Sequence, residues 1–119
     1  MKENETMAVT IYHNPRCSKS RTTLSLLQDK GVEPTVVEYL KTPPEAKELK
    51  RILGLLGKSP RDILRKKEAR EAGLDDPSIS DAELIEKMVA NPQVIERPIV
   101  VSGGKAALGR PPESVLEIF

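Results

Sequence analysis

Residues 9–30 read VTIYHNPRCSKSRTTLSLLQDK, and the fold turns on this stretch. Val9 and Ile11 alternate with Thr10 and Tyr12, the two-residue period of a short strand. His13-Asn14-Pro15-Arg16 breaks the pattern, because Asn-Pro is a turn signal. From Cys17 to Lys30 helix formers dominate. Leu24 and Leu27 share one helical face, with Leu26 beside them, and Gly31 supplies a C-cap. The only cysteine of the chain therefore stands where a strand ends and a helix begins.

Further along, residues 35–40 (TVVEYL) form a second strand pattern. Thr42, Pro43 and Glu45 read as N-cap, first helical residue and capping-box partner. They precede an apolar stripe of Leu49, Ile52, Leu53 and Leu56, ended by Gly54 or Gly57. Ser59-Pro60-Arg61-Asp62 repeats the start signal before Ile63 and Leu64. Residues 66–78 are charged and then turn-like. Ser80 and Glu83 form another capping box ahead of Leu84, Ile85, Met88 and Val89, and Asn91-Pro92 stops that helix. Ile99 to Val101 is a strand run, Ser102-Gly103-Gly104-Lys105 a hairpin turn, and Ala106 to Leu108 the returning strand. Pro111-Pro112-Glu113 opens a last helix carrying Val115, Leu116 and Ile118.

Two strands joined through a helix run parallel, with a right-handed crossover. The late hairpin adds an antiparallel strand. The expected fold is α/β, a four-stranded mixed sheet flanked by helices, with a helical insert at about 42–90. This order is similar to the thioredoxin-like plan. Residues 8–119 are expected to form a single domain, and residues 1–7 a flexible N-terminal leader.

Composition narrows the function. A chain of 119 residues suits one domain. No apolar run approaches the ~18 residues of a membrane span. Residues 1–7 (MKENETM) lack the apolar stretch of a secretion signal, which implies a cytoplasmic protein. A net charge of +1 and 3% aromatic residues argue against nucleic acid as a partner. One cysteine and one histidine exclude an internal disulfide and a Cys-rich or multi-histidine metal site, so no metal is expected.

Cys17 is the residue that carries chemistry. N–H groups at a helix start point outward and the helix dipole adds partial positive charge, and both favour the thiolate. Arg16, Lys19 and Arg21 add positive charge nearby, and Ser18 and Ser20 offer hydroxyls to the sulfur or an oxyanion. Most free cysteines are small buried hydrophobes, but these polar flanks do not suit a core segment. Cys17-Ser18-Lys19-Ser20 is C-x-x-S and no resolving cysteine exists elsewhere. An oxidised sulfur must be restored by an outside thiol. His13 could lower the cysteine pKa or orient the loop. Pro98 stands directly ahead of a strand, where a cis Arg97-Pro98 peptide would bring the backbone beside the thiol. Arg61 falls in the first turn of a short helix and Arg110 in a stiff turn; each alone reads as a surface charge.

Taken together, these segments resemble the glutaredoxin- and glutathione-dependent arsenate reductases (ArsC-like). TIYHNPRCSKSRTTL (residues 10–24) is similar to the signature that leads into the catalytic cysteine of that family. Ser59 to Arg65, Glu96 to Val101 and Gly109 to Pro112 resemble the segments bearing its three anion-binding arginines. The resemblance runs from about residue 8 to the C-terminus. It implies Cys17 as nucleophile and Arg61, Arg97 and Arg110 as holders of the oxyanion. It implies His13 and Ser20 as residues that keep Cys17 ionised. The substrate would be arsenate or a similar oxyanion, with glutathione as co-substrate, glutaredoxin as partner and no bound cofactor. Ser18-Lys19 departs from the Gly-Thr that arsenate reductases more often carry. Two other readings remain open: monothiol glutathione-linked exchange or other oxyanion chemistry, and a redox-regulatory binding protein of the same fold.

Overall fold

The computed structural model describes residues 8–119; the expected leader at 1–7 lies outside them. Contacts divide the chain into two units, one formed by the chain up to Tyr39 with Arg97–Phe119, the other by Leu40–Glu96.

The first unit carries the sheet. The alternation seen at Val9 becomes β1 (Val9–His13), followed by α1 (Ser18–Asp29), β2 (Thr35–Glu38), β3 (Ile99–Ser102) and β4 (Lys105–Leu108). The order across the sheet is β2-β1-β3-β4. β1 runs parallel to β2, with Ile11 opposite Val36, and antiparallel to β3, with Ile11 opposite Val100. β3 and β4 form the antiparallel hairpin. The mixed four-stranded sheet is the one the element order implies. Gly103 turns the hairpin in the left-handed region (φ +59°), where a Cβ would be strained.

Val9, Ile11 and Val100 project from the sheet onto Leu27 of α1 and Val115 of the C-terminal segment, and all five are buried. Leu24, Val32, Leu116 and Ile118 close around them. Burying each such side chain contributes about 1.5–3 kcal/mol. α1 ends as expected at Gly31 (φ +80°): its N–H donates to the Gln28 carbonyl and that of Val32 to the Leu27 carbonyl, a Schellman closure. The fully buried face of α1 is more polar than the leucine spacing implies, comprising Ser20, Thr23 and Leu27.

The second unit holds α2 (Ala46–Leu56), α3 (Lys66–Glu71) and α4 (Asp81–Ala90), with 3-10 turns at Pro60–Ile63 and Pro92–Val94. Leu49, Ile52 and Leu53 of α2 and Leu84, Ile85 and Met88 of α4 are buried. Leu64 and Ile95 bridge antiparallel, flanked by N–H donation from Arg65 to the Val94 carbonyl and from Glu96 to that of Ile63.

Three expectations change here. The first helix of the insert starts at Ala46, with Glu45 as N-cap, not at Pro43 after Thr42. Pro44 disfavours helical geometry at the residue before it, so Pro43 cannot open the helix. Residues 66–71 form a helix that charge alone concealed: Ala69 is its one buried residue, too little to make a stripe. The C-terminal helix is the 3-10 segment Pro112–Ile118.

Gly109 is the one glycine among the described residues with other atoms packed close against the position of a Cβ. Its N–H donates to the Pro98 carbonyl at 2.9 Å. A Cβ there would lie 2.5 Å from Thr23 Oγ1 and 2.7 Å from Pro98 Cγ. Thr23 Oγ1 is itself held by the Lys19 carbonyl at 2.8 Å, and a proline ring cannot move aside. Gly109→Ala is expected to destabilise the protein by about 1–3 kcal/mol, read as a lower urea midpoint. An unchanged midpoint would contradict the packing described for this turn.

Candidate active site

Local hydrogen bonds build the strand-to-helix junction. The Cys17 N–H donates to the Asn14 carbonyl at 3.0 Å, closing a turn with Pro15 at its second position. The Asn14 side chain accepts from the Arg16 N–H at 3.0 Å. Cys17 is the N-cap of α1, extended at φ −96° and ψ 123°, and the Arg21 N–H donates to its carbonyl at 3.0 Å. This geometry sets the half-buried sulfur against the first turn of the helix.

Burial by itself would push the Cys17 thiol up. The Ser20 N–H, the charge of the Arg97 guanidinium, the Lys19 N–H and a hydrogen bond from Arg97 together outweigh it. The thiol is held below its ordinary value of 9.0, so the thiolate is favoured. The sequence suggested cations next to Cys17 as the source of this effect. Instead the charge that acts on the sulfur comes from Arg97, distant along the chain. Ser20 likewise serves the sulfur through its backbone N–H, while its hydroxyl is committed elsewhere.

That hydroxyl shares a 2.7 Å hydrogen bond with His13 Nδ1 and accepts from the Asn14 N–H at 3.0 Å. His13 and Ser20 are both buried. Burial lowers the His13 pKa, the Glu38 carboxylate of β2 raises it and Arg21 lowers it, with a net shift below 6.5. His13 therefore stands neutral beside Ser20, as the structural link between β1 and α1.

Arg97 precedes Pro98 through a cis peptide, and the Arg110-Pro111 peptide is cis as well. Arg110 Nη1 donates to the Arg97 carbonyl at 3.3 Å. The sheet unit thus gathers Cys17, His13, Ser20, Arg97, Pro98 and Arg110. Arg61 belongs to the helical unit, where its guanidinium donates to the Pro77 and Ile79 carbonyls. The turn carrying it is capped as the sequence implies, with the Ser59 N–H donating to the Asp62 carboxylate at 2.9 Å. Among the described residues no group of three or more histidine, cysteine or acidic side chains could hold a metal ion. None of their helices is long and apolar enough to cross a membrane.

Sequence reasoning passed over the loop's own fasteners, Asn14 and Arg21. The Asn-Pro turn signal marked the place; nothing marked the Arg21 side chain, whose Nη1 donates to the Pro15 carbonyl at 2.9 Å.

The neutral buried His13 has a consequence for stability. Between its folded pKa and 6.5 the unfolded chain binds more protons, so stability rises with pH in that window. The contribution is fully present above 6.5 and is lost as pH falls through the folded value. His13→Gln is expected to flatten the loss of urea-unfolding stability between about pH 7 and about pH 5. An equal loss in variant and wild type would contradict a neutral His13.

Comparison with known proteins agrees with this geometry. The model of the ArsC family matches residues 12–118. The uncharacterized protein YfgD of Escherichia coli K12 is 57% identical, over 95% of this chain and 98% of its own. The arsenate reductase of Rhizobium meliloti is 48% identical, over 95% of this chain and 82% of its own. The structure of an arsenate reductase from Vibrio cholerae superposes with a TM-score of 0.90 at 51% identity, covering 95% of this chain and 98% of that one. The sheet with its flanking helices is the thioredoxin-like architecture of these proteins, and the chain belongs to the ArsC family.

Proposed function

We propose that this protein reduces arsenate to arsenite through Cys17. The observation that carries the reading is a cysteine at a helix start, favoured as thiolate and hydrogen-bonded by an arginine. Relatives named arsenate reductase at 48% and 47% identity support the same reaction.

The chemistry follows from charge. Arsenate near neutral pH is a largely dianionic oxyanion, and a thiolate approaching it meets like charge. In a site of low effective dielectric that repulsion costs several kcal/mol unless cations lie close. Arg97 serves both partners: it stabilises the thiolate, and its planar donors suit a tetrahedral oxyanion. The same oxyanion-holding role is proposed for Arg61 and Arg110 on family membership. His13 and Ser20 act on Cys17 indirectly, by fixing the first turn whose N–H groups face the sulfur.

In the proposed cycle Cys17 Sγ bonds to arsenic and an arsenate oxygen leaves as water. Glutathione thiolate then displaces a second oxygen and bonds to arsenic. A glutaredoxin thiolate attacks the glutathione sulfur, giving a mixed disulfide. The electron pair of the broken sulfur–arsenic bond stays on arsenic, which becomes trivalent. Hydrolysis of the Cys17–arsenic bond releases arsenite and returns the thiol. Two sulfurs are oxidised and one arsenic gains two electrons. No second cysteine is needed, in keeping with the single cysteine of the chain. Thiol reductants of this kind place the reaction in the cytoplasm.

The single cysteine also suits a second reading, monothiol exchange on glutathione mixed disulfides. One assay separates the two: arsenate, glutathione and glutaredoxin with NADPH-driven recycling, alongside a glutathionylated peptide. The wild type should consume NADPH in a saturable, arsenate-dependent way, and Cys17→Ser should lose at least about a thousandfold. Arg97→Lys, which keeps the charge but loses the paired donors, should fall by about ten- to a hundredfold in kcat/KM with folding intact. Deglutathionylation without any response to arsenate would transfer the assignment to monothiol exchange.

A further inference from the structure

We propose that Arg21 is a positioning residue for Cys17, holding the loop before the nucleophile so that the sulfur stays on the N–H groups of the first helical turn. The inference rests on the reading of Cys17 as the reactive thiol.

Arg21 grips the chain on both sides of the nucleophile. Its backbone N–H donates to the Cys17 carbonyl at 3.0 Å, and its side-chain Nη1 donates to the Pro15 carbonyl at 2.9 Å. The Pro15 carbonyl lies inside the turn from Asn14 to Cys17, the turn that delivers Cys17 to the N-cap position. Asn14 completes the arrangement. Its carbonyl accepts from Cys17, its side chain from Arg16, and its N–H donates to the Ser20 hydroxyl. An exposed arginine ordinarily keeps its rotamer freedom in water, so a side chain fixed on a loop carbonyl does local work.

The charges near each group separate position from electrostatics. Cys17 responds to the charge of Arg97, from the segment entering β3, and Arg21 is not among the charges that move it. His13 responds to Glu38 of β2 and to Arg21 of α1. Arg21 therefore reaches the thiol through geometry: it keeps the Lys19 and Ser20 N–H groups aligned on the sulfur and helps hold His13 neutral against Ser20.

The chain has one cysteine, so ultraviolet thiolate absorbance, taken as the difference from Cys17→Ser to cancel the two tyrosines, titrates Cys17 and needs no turnover. The result therefore stands apart from the fate of the reductase assignment. Arg21→Met is expected to raise the Cys17 midpoint by about half a unit to one unit, an about three- to tenfold loss of thiolate below the transition. Its melting temperature should stay within about 4 °C of wild type. The shift should persist in ~1 M salt, where charge effects beyond about 3 Å are screened. Arg21→Lys, which can still donate to the Pro15 carbonyl, should recover at least half of it. Should Arg21→Met not fold, Arg21→Gln, uncharged and two atoms shorter, gives the same reading. A wild-type midpoint, a shift that disappears in salt, or a lysine variant no better than methionine would overturn the proposal.

Discussion

The hydrogen bonds from the first turn of α1 to the Cys17 sulfur are the interaction on which the rest of the structure depends. They exist only while Cys17 stays extended at the N-cap and the helix starts at the next residue. Each surrounding feature serves that condition. The Asn14 turn ends β1 sharply enough to place Cys17 there, and β1 is anchored by strands on both sides. The helix is pressed onto the sheet through Leu27, fully buried against Val9, Ile11 and Val100.

Polar groups in this interior have a single theme. Ser20, Thr23 and His13 are buried, and each is hydrogen-bonded: His13 and Ser20 to one another across the junction, Thr23 within α1. Ser20 ties His13 to the helix, and Thr23 returns to the Lys19 carbonyl. Unpaired, these groups would cost about 1–3 kcal/mol each; the His13–Ser20 bond also fixes the rotation of α1 relative to β1. The thiolate needs that rotation held, because hydrogen bonds weaken steeply away from good alignment.

Much of this was legible in order and punctuation. The strand alternation at Val9, the Asn-Pro break, Gly31 and the Gly103 hairpin give the sheet order, and the family resemblance is borne out by the match over residues 12–118. Capping boxes were less dependable: Ser80 caps its helix, its hydroxyl accepting from the Glu83 N–H, whereas the cap at Thr42 was overridden by Pro44. The site was legible as a list and not as an arrangement. Cys17 announced itself by position, but its charged neighbours in sequence are not the charge that acts on it. Arg97 acts on the sulfur through strand pairing between β1 and β3, a contact no local pattern encodes. The fastening by Arg21 depends on a side-chain direction, which residue type alone does not specify.

The central claim is that the fold itself shifts Cys17 toward the thiolate. The most direct measurement is the carboxymethylation rate of the wild-type protein by iodoacetamide as a function of pH, each product mapped to Cys17 by mass. The account predicts a rate that levels off with a midpoint below 9.0, the ordinary value for this thiol. A rate still climbing through 9.0, as for an unassisted thiol, would contradict it.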